Sequence, residues 1–138
     1  MSTVSVCVTM PAAAAAVWQR IGGFNSLPDW CGAIRASVLE DHGRVRRLEV
    51  VDGSIVVERL ETFSEAERSY SYSIVEAALP VTNYLSTLKV IAVFGQAQSI
   101  VEWSSNYYTA PELEERMRTA FTRLYQDSLD NLKLTLSA

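Results

Sequence analysis

The middle of this chain is a series of six strand-like segments joined by short turns, and one long amphipathic helix follows it. This order restricts the fold more than any other feature of the sequence. The segments are rich in β-branched and aromatic residues, and turn-forming residues such as the Gly95-Gln96 pair separate them. They cover Ile34 to Glu40, Arg44 to Val51, Ser54 to Phe63, Ser69 to Val75, Tyr84 to Phe94 and Gln98 to Tyr108. Because a parallel return needs a long crossover, such short connections predict an antiparallel meander.

Shorter elements precede the meander. A strand is predicted over Thr3 to Thr9, where valines alternate with smaller residues in the period of a half-buried strand. Pro11 suits the first position of a helix, and the alanine-rich run after it predicts a short helix that ends at the Gly22-Gly23 pair. The stretch Leu27 to Trp30 adds at most one further helical turn.

The last element is a predicted helix of about 26 residues, which spans roughly 39 Å at 1.5 Å per residue. It begins at Pro111 with acidic residues that complement the helix dipole. Apolar residues follow at helical spacing, namely Leu113, Met117, Ala120, Phe121, Leu124, Leu129, Leu132 and Leu136. Only this helix is large enough to cover a six-stranded face, and the twist of the sheet should curl it around the helix and leave a pocket between them. We therefore predict one α+β domain over residues 1–138.

Charge and targeting signals narrow the expected partners. The net charge is −4 and the basic residues are scattered, so we expect no nucleic-acid partner. The first ten residues lack the basic and apolar regions of a signal peptide, and Ala12 to Ala16 is too short to span a bilayer. A cytoplasmic protein without integral membrane association is expected. The sequence leaves a homodimer open.

The cysteines and the single histidine do not form a chemical centre. Cys7 and Cys31 are expected to be reduced and packed. Structural zinc needs four ligands, more than these two thiols and His42 supply, so we expect neither metal nor cofactor. His42 lies in a turn-forming Asp-His-Gly triplet and is expected to be exposed and inert. The motifs of nucleophilic hydrolases, phosphate loops and zinc proteases are absent.

Several local segments occur in an order and spacing found in a known superfamily. They are Val17-Trp18, Leu27 to Trp30, Glu58 to Glu61, Tyr70 to Ile74, Pro80 to Tyr84, Val101 to Trp103 and Leu129 to Leu132. With them the chain resembles the START-like or SRPBCC superfamily, which includes birch-pollen-allergen relatives, polyketide cyclase/dehydrases and plant abscisic-acid receptors. It looks most like the bacterial polyketide-cyclase-type members. It departs from the receptors at the short Asp52-Gly53 turn and at Leu79-Pro80-Val81, where they carry a gate and a latch.

The resemblance implies a helix-grip fold, in which a seven-stranded curved antiparallel sheet wraps around the C-terminal helix and two short helices follow the first strand. It also implies a cavity lined by the inner face of the sheet and one stripe of the last helix. The implied ligand-binding residues are Arg35, Val56, Glu58, Leu60, Tyr72, Ile74, Tyr84, Ser86, Trp103, Met117, Phe121, Leu124 and Ser128. The alternation of the third segment of the meander supports part of this set. It places Val56, Glu58, Leu60 and Thr62 on one face. The opposite face carries two charges and suits solvent better; its residues are Ile55, Val57, Arg59, Glu61 and Phe63.

Glu58 is the strongest candidate for a functional carboxylate. On an otherwise apolar face a carboxylate must be paired, neutralised by a raised pKa, or hydrated through a pocket. A surface carboxylate, or an ion pair with a neighbouring arginine, is the simpler alternative. The resemblance places Arg35 where relatives keep a basic group for a ligand, although an exposed position suits an arginine at a strand start equally well. If both face inward, we expect them to pair.

The aromatic residues and the helix stripe have two interpretations. Tyr72, Tyr84 and Trp103 combine a large apolar ring with a polar group, which suits contact with a polycyclic ligand, but aromatic residues at alternating strand positions are more often simple core. The stripe from Met117 to Ser128 has the same two interpretations.

Three functions are compatible with these features. The first is binding or carriage of a small hydrophobic molecule such as a lipid, a polyketide or an isoprenoid. The second is a metal-free cyclase or dehydratase with Glu58 as general acid/base and a tyrosine hydroxyl or Arg35 stabilising an enolate. The third is a regulatory partner protein with a residual cavity. A binder requires an apolar cavity with one or two polar anchors, the enzyme also requires two titratable groups near one substrate atom, and the partner protein requires a nearly filled cavity.

Overall fold

The computed structural model describes residues 1–95 and 97–137, so Gln96 of the predicted Gly95-Gln96 turn lies outside the described residues. Three α-helices and seven strands are present within that range. In chain order they are β1 (Ser2–Met10), α1 (Ala14–Ile21), α2 (Leu27–Trp30), β2 (Ile34–Glu40), β3 (Val45–Val50), β4 (Ile55–Ser64), β5 (Ser69–Glu76), β6 (Val81–Ala92), β7 (Ser99–Thr109) and α3 (Glu114–Ser137). Short 3-10 turns at Asp41–Gly43 and Pro111–Leu113 precede β3 and α3.

The strands form one antiparallel sheet in the order β1-β7-β6-β5-β4-β3-β2. Consecutive strands from β2 to β7 are neighbours, as short turns require, and β1 closes the sheet beside β7. The predicted α+β helix-grip fold is therefore confirmed. Helix α3 packs mainly along β1, with lesser contacts to β7 and α2. Because the helix lies towards that edge, it leaves the concave face above β3, β4 and β5 only partly covered.

The described strands pair with four register shifts, and two of these, in β4 and β6, bear on which side chains face the core. In β4 the pairing slips between Leu60 and Thr62, and the extra residue moves everything after it to the other face. Phe63, which alternation placed outside, pairs with the buried Tyr70, and its ring centroid lies 5.7 Å from that of Trp18, although its side chain is 44% exposed. The inward placement of Thr62 is likewise wrong, because Thr62 pairs with Ser71, which lies between the inward Tyr70 and Tyr72 on β5.

The second bulge lies in β6, where Asn83 and Tyr84 together stand opposite Tyr107 between Thr82 and Leu85. Asn83 has a φ of 53°, a left-handed conformation that asparagine adopts more readily than most residues. The bulge turns Tyr84 towards the same interior as Tyr107, and both rings are buried. The bulge thus places Tyr84, one of the predicted aromatic residues, on the inner face of the sheet.

A few boundaries and burial states differ from the sequence-based expectations. Helix α1 begins at Ala14, so Pro11 precedes the helix and does not occupy its first position. Cys7 and Cys31 are both free thiols; Cys31 is buried as expected, but Cys7 is exposed on the outer face of β1. His42 is exposed, as predicted. None of the helices in the described part of the chain combines the length and apolar character needed to cross a membrane.

Candidate ligand-binding cavity

A cavity of about 400 Å³ lies between the concave face of the sheet and α3. Its walls come from α2 and the start of β2, from strands β3 to β7, from the loop that contains Ala78 and Leu79, and from α3. Most of the lining side chains are apolar, and the charged ones among the described residues are Asp52 and Glu58. Asp52 belongs to the exposed turn between β3 and β4, whereas Glu58 is buried inside.

The structure brings most of the predicted residues to this cavity. The ones that line it are Val56, Glu58, Tyr72, Ile74, Tyr84, Trp103, Met117, Phe121 and Leu124. Strand residues reach it because β4, β5, β6 and β7 present alternate side chains to the concave face. Residues of α3 reach it because positions three and four apart share one face of a helix. The inward-facing residues of the strands and one face of α3 therefore line the same cavity.

Three predicted residues lie next to the cavity without lining it. Leu60 packs against the apolar core. Ser86 is fully buried and donates a hydrogen bond of 2.8 Å to the carbonyl of Ser104. Ser128 is buried on α3, with Oγ 3.1 Å from Cys31 Sγ and 2.7 Å from the carbonyl of Leu124. These polar groups are satisfied within the protein, so they support the walls of the cavity.

Arg35 does not face the cavity, so the condition for its pairing with Glu58 is not met. Its side chain is 58% exposed, it lies 3.5 Å from a carboxylate oxygen of Glu49, and it donates a hydrogen bond to the carbonyl of Val51. The physical reason is a local irregularity in β2: Arg35 is the extra residue at the register shift between Ile34 and Ala36, and Ile34 lines the cavity in its place.

Glu58 instead pairs with Arg46, which sequence analysis did not single out. The two residues are direct cross-strand partners, and Arg46 Nε donates a hydrogen bond of 2.8 Å to Glu58 Oε1. Nη2 lies 2.8 Å from the same oxygen without hydrogen-bond geometry. Nη1 donates to the carbonyl of Phe24 at 2.8 Å. Arg46 is thus fully buried, with its polar contacts directed at protein atoms.

Aromatic rings surround the Arg46 guanidinium. The ring centroid of Phe24 lies 4.2 Å from Cζ and that of Tyr72 lies 4.7 Å away. Such contacts stabilise a desolvated cation. The glutamate of the pair lines the cavity, whereas the arginine lies behind it.

The chemistry of Glu58 follows from this arrangement. Burial raises the pKa of Glu58 above its ordinary value of 4.5, and the positive charge of Arg46 opposes part of that increase. Arg46 occupies Oε1, and among the described residues no hydrogen bond to Oε2 is present. A buried carboxylate with one free oxygen can accept a hydrogen bond from a bound molecule or take up its proton.

A hydroxyl group stands near this carboxylate. The indole Nε1 of Trp103 donates to the hydroxyl of Tyr72 at 3.0 Å and to Ser86 Oγ at 3.1 Å. The Tyr72 hydroxyl therefore accepts a bond, and within the described chain it donates to no other residue. Burial, followed by the negative charge of Glu58, raises the pKa of Tyr72 well above its ordinary value, so the phenol keeps its proton. It can donate that proton to an oxygen in the cavity.

Tyr125 is a second residue that sequence analysis missed. Its hydroxyl is hydrogen-bonded to that of Tyr84, and its ring stacks on Trp103 with centroids 4.3 Å apart. Burial raises the pKa of Tyr125 to about 12. A signal was present, because Tyr125 follows Phe121 by four residues and precedes Leu129 by four, which puts it on the buried stripe of the helix.

Arg46 also had a detectable signal. It alternates with Leu48 and Val50, which are apolar, and a hairpin that pairs Leu48 with Val56 must pair Arg46 with Glu58 two residues further on. The three basic residues between Arg44 and Arg47 concealed this parity, because a cluster of charges is usually a solvated face.

Comparison with known proteins places this geometry in context. A family model described as "Polyketide cyclase / dehydrase and lipid transport" matches residues 1–137. The protein XoxI from Bacillus cereus is 41% identical, with a TM-score of 0.95, and the match covers 99% of this chain and 96% of that one. An uncharacterised protein from Bacillus thuringiensis is 39% identical with a TM-score of 0.95, over 99% and 100% of the two chains. A search of curated proteins finds no match.

A more distant structural similarity is also present. Norcoclaurine synthase from Thalictrum flavum, solved in complex with dopamine and hydroxybenzaldehyde, is 19% identical with a TM-score of 0.75. The match covers 98% of this chain and 86% of that one. At this identity the similarity shows a shared fold.

Proposed function

The chain belongs to the polyketide cyclase / dehydrase and lipid transport family, and from this premise we propose that it binds a small, mostly apolar molecule of polyketide, isoprenoid or lipid type in the cavity beneath α3. The observation that carries the proposal is a space of about 400 Å³ with a largely apolar lining and a few buried polar groups. Ligand sites in proteins typically have this size and composition. The side chains of Glu58 and Tyr72 would orient the ligand.

A second candidate function is acid-base catalysis on such a molecule, and one specific observation favours it. Glu58 is a buried carboxylate with a raised pKa and a free oxygen, and it shares the cavity with a tyrosine hydroxyl that is able to donate. These are the groups that remove a proton next to a carbonyl and stabilise the resulting enolate. In this role Glu58 is the catalytic residue and Arg46 is a positioning residue that acts through it.

The proposed partner is accordingly a small molecule. With a net charge of −4 and dispersed basic residues, nucleic acid stays an unexpected partner. A cytoplasmic location and the homodimer left open by the sequence are predictions that cell fractionation and analytical ultracentrifugation would test.

Binding is tested with para-phenylphenol, a neutral aromatic probe, followed through the NMR resonances of isotope-labelled protein. We expect saturable shifts of the indole N–H of Trp103 and of residues on the concave face. Ile74→Phe should weaken binding by at least about tenfold, because the larger ring occupies the cavity. Val75→Phe is the matched control, since Val75 is the next residue of β5 and is 51% exposed. Equal affinity of the two variants would contradict the proposed site.

Catalysis is tested by deuterium exchange into phenylacetone in heavy water. We expect the protein to accelerate exchange at the carbon next to the carbonyl, and Glu58→Gln to remove the acceleration because the amide is not a base. Glu67→Gln, in the exposed turn between β4 and β5 and outside the lining of the cavity, should leave the exchange unchanged. Exchange at the uncatalysed rate with the wild-type protein would leave binding as the function and exclude this enzymatic role for Glu58.

A further inference from the structure

We propose that the cavity selects uncharged ligands that carry a hydroxyl group and rejects carboxylates, and that Glu58 sets this selectivity. The inference rests on the proposed function and adds the class of ligand. Its first support is the charge of the lining. Both charged residues that line the cavity, Asp52 and Glu58, are acidic, and among the described residues no lysine, arginine or histidine lines it. A carboxylate ligand would therefore enter a desolvated space without a cation to pair with.

Arg46 cannot supply that cation, although it is nearby. Its Nε and Nη2 both lie 2.8 Å from Glu58 Oε1, and Nη1 is bound to the carbonyl of Phe24. Its exposure is 0%, and the rings of Phe24 and Tyr72 cover the guanidinium. The charge of Arg46 is thus balanced by Glu58 within the protein. A second anion would have to compete with Glu58 for it.

The free polar atoms of the site fit a hydroxylated ligand. Glu58 Oε2 receives no hydrogen bond from the described residues, so it can accept one from a ligand hydroxyl. The Tyr72 hydroxyl already accepts from Trp103 and has its own proton to donate to a ligand oxygen. An alcohol or phenol group donates and accepts, whereas an ionised carboxylate only accepts and would meet the like charge of Glu58.

The experiment compares two probes with one apolar skeleton, para-phenylphenol and para-phenylbenzoate, at about pH 8, where the phenol is neutral and the benzoate is ionised. Dissociation constants are measured by calorimetry and by the NMR resonance of the Trp103 indole. For the wild-type protein we expect the phenol to bind at least about tenfold more tightly than the benzoate, since an unpaired buried ion is costly.

Variants then test the role assigned to Glu58. Glu58→Gln leaves the buried Arg46 cation without its partner, so the affinity for the benzoate should rise and the preference should fall by at least about tenfold or reverse. The double variant Arg46→Met, Glu58→Gln removes both charges, and the gained benzoate affinity should disappear. Glu67→Gln is the control, because it removes an acidic residue from the exposed turn between β4 and β5, outside the lining of the cavity, where screening leaves little effect.

The outcomes separate the inference from the proposed function. Equal affinity of the wild-type protein for both probes would overturn the inference while leaving the cavity a binding site. An unchanged preference in Glu58→Gln, or benzoate binding in the double variant as tight as in Glu58→Gln, would overturn the role of the buried pair. If neither probe binds to any of the proteins, the proposed function fails and the inference fails with it. If Glu58→Gln does not fold, the affinities of the wild-type protein for the two probes still decide whether the cavity is selective.

Discussion

Arg46 and Glu58 are direct partners across β3 and β4, and their side chains meet inside the concave face with 2.8 Å between Nε and Oε1. An ion pair of this kind contributes less to stability than its short contacts suggest, because both ions lose their hydration. Its members are nevertheless interdependent. Removal of one partner leaves an uncompensated charge at a cost of about 3–5 kcal/mol, whereas replacing both with apolar groups is often nearly neutral.

The pH dependence of stability should report the raised pKa of Glu58. A carboxyl whose pKa is higher in the folded state binds more protons there than in the unfolded chain. Its contribution to stability is complete below its ordinary value of 4.5 and is lost as the pH rises through the folded value. The free energy of unfolding of the wild type, minus that of Glu58→Gln, should therefore decrease in urea titrations as the pH rises above 4.5.

The pKa of Asp52 is shifted in the opposite direction, so its effect on the free energy of unfolding should have the opposite pH dependence. Hydrogen bonds from the hydroxyl and the backbone N–H of Ser54 lower the pKa of Asp52 below 3.8. Its contribution is present above that ordinary value and is lost as the pH falls through the lower, folded value. The difference between wild type and Asp52→Asn should thus decrease towards acid. If the Glu58 and Asp52 differences changed in the same direction with pH, the assignment of one of the two shifts would be wrong.

The hydroxyl pair of Tyr84 and Tyr125 should show energetic coupling. Tyr84→Phe and Tyr125→Phe should each cost about 1 kcal/mol, because each leaves one buried hydroxyl without its partner. The double variant should cost less than the two single changes together, by about 0.5–1 kcal/mol in a double-mutant cycle measured by denaturation. Tyr108→Phe, at a ring that is 50% exposed, is the control. Strict additivity would show that the two hydroxyls do not support each other.

Gly22 should not tolerate a side chain. A Cβ at this position would lie 2.5 Å from the Trp18 ring, whose Nε1 donates a 2.8 Å hydrogen bond to the carboxylate of Glu65. Gly22→Ala should therefore destabilise the protein by about 1–3 kcal/mol, as overpacking does in cores. The neighbouring Gly23→Ala is the matched control, because its nearest contact would be at 3.7 Å. Thermal unfolding of the two variants measures the difference, and equal melting temperatures would refute the clash.

The start of α3 is tied to the first strand through Glu114. The hydroxyl of Ser2 and the guanidinium of Arg118 both donate to its carboxylate, and these hydrogen bonds lower the pKa of Glu114 below 4.5. Ser2→Ala should raise that pKa towards the ordinary value, as followed by NMR titration of the side chain. Ser5→Ala, at an exposed position of the same strand, should leave it unchanged. An unaltered Glu114 pKa in Ser2→Ala would show that Arg118 alone determines it.

Regular elements were predictable because their periods are local. β2 has the predicted bounds, and the turn at Asp52-Gly53 places β3 against β4 as expected. The resemblance to the superfamily, supported by alternation along β4, predicted that Val56, Glu58, Tyr72 and Ile74 line one space, and all four line the cavity. Where a strand is irregular the same rule failed, as for Phe63 and Thr62 beyond the bulge in β4. One extra residue reverses the face of each later side chain, and no local pattern in a single sequence predicts where such a bulge occurs.

The partner of Glu58 illustrates the limit most clearly. The sequence by itself determined that the strands form an antiparallel meander, and it made Glu58 a candidate for the inner face with a surface position as the alternative, because alternation and turns are properties of neighbouring residues. Only the tertiary structure decided that Arg46 neutralises it while Arg35 points to solvent, and that α3 docks along β1 so that about 400 Å³ stays open. Cross-strand register and helix position depend on packing summed over the whole core, and such sums cannot be obtained from local patterns.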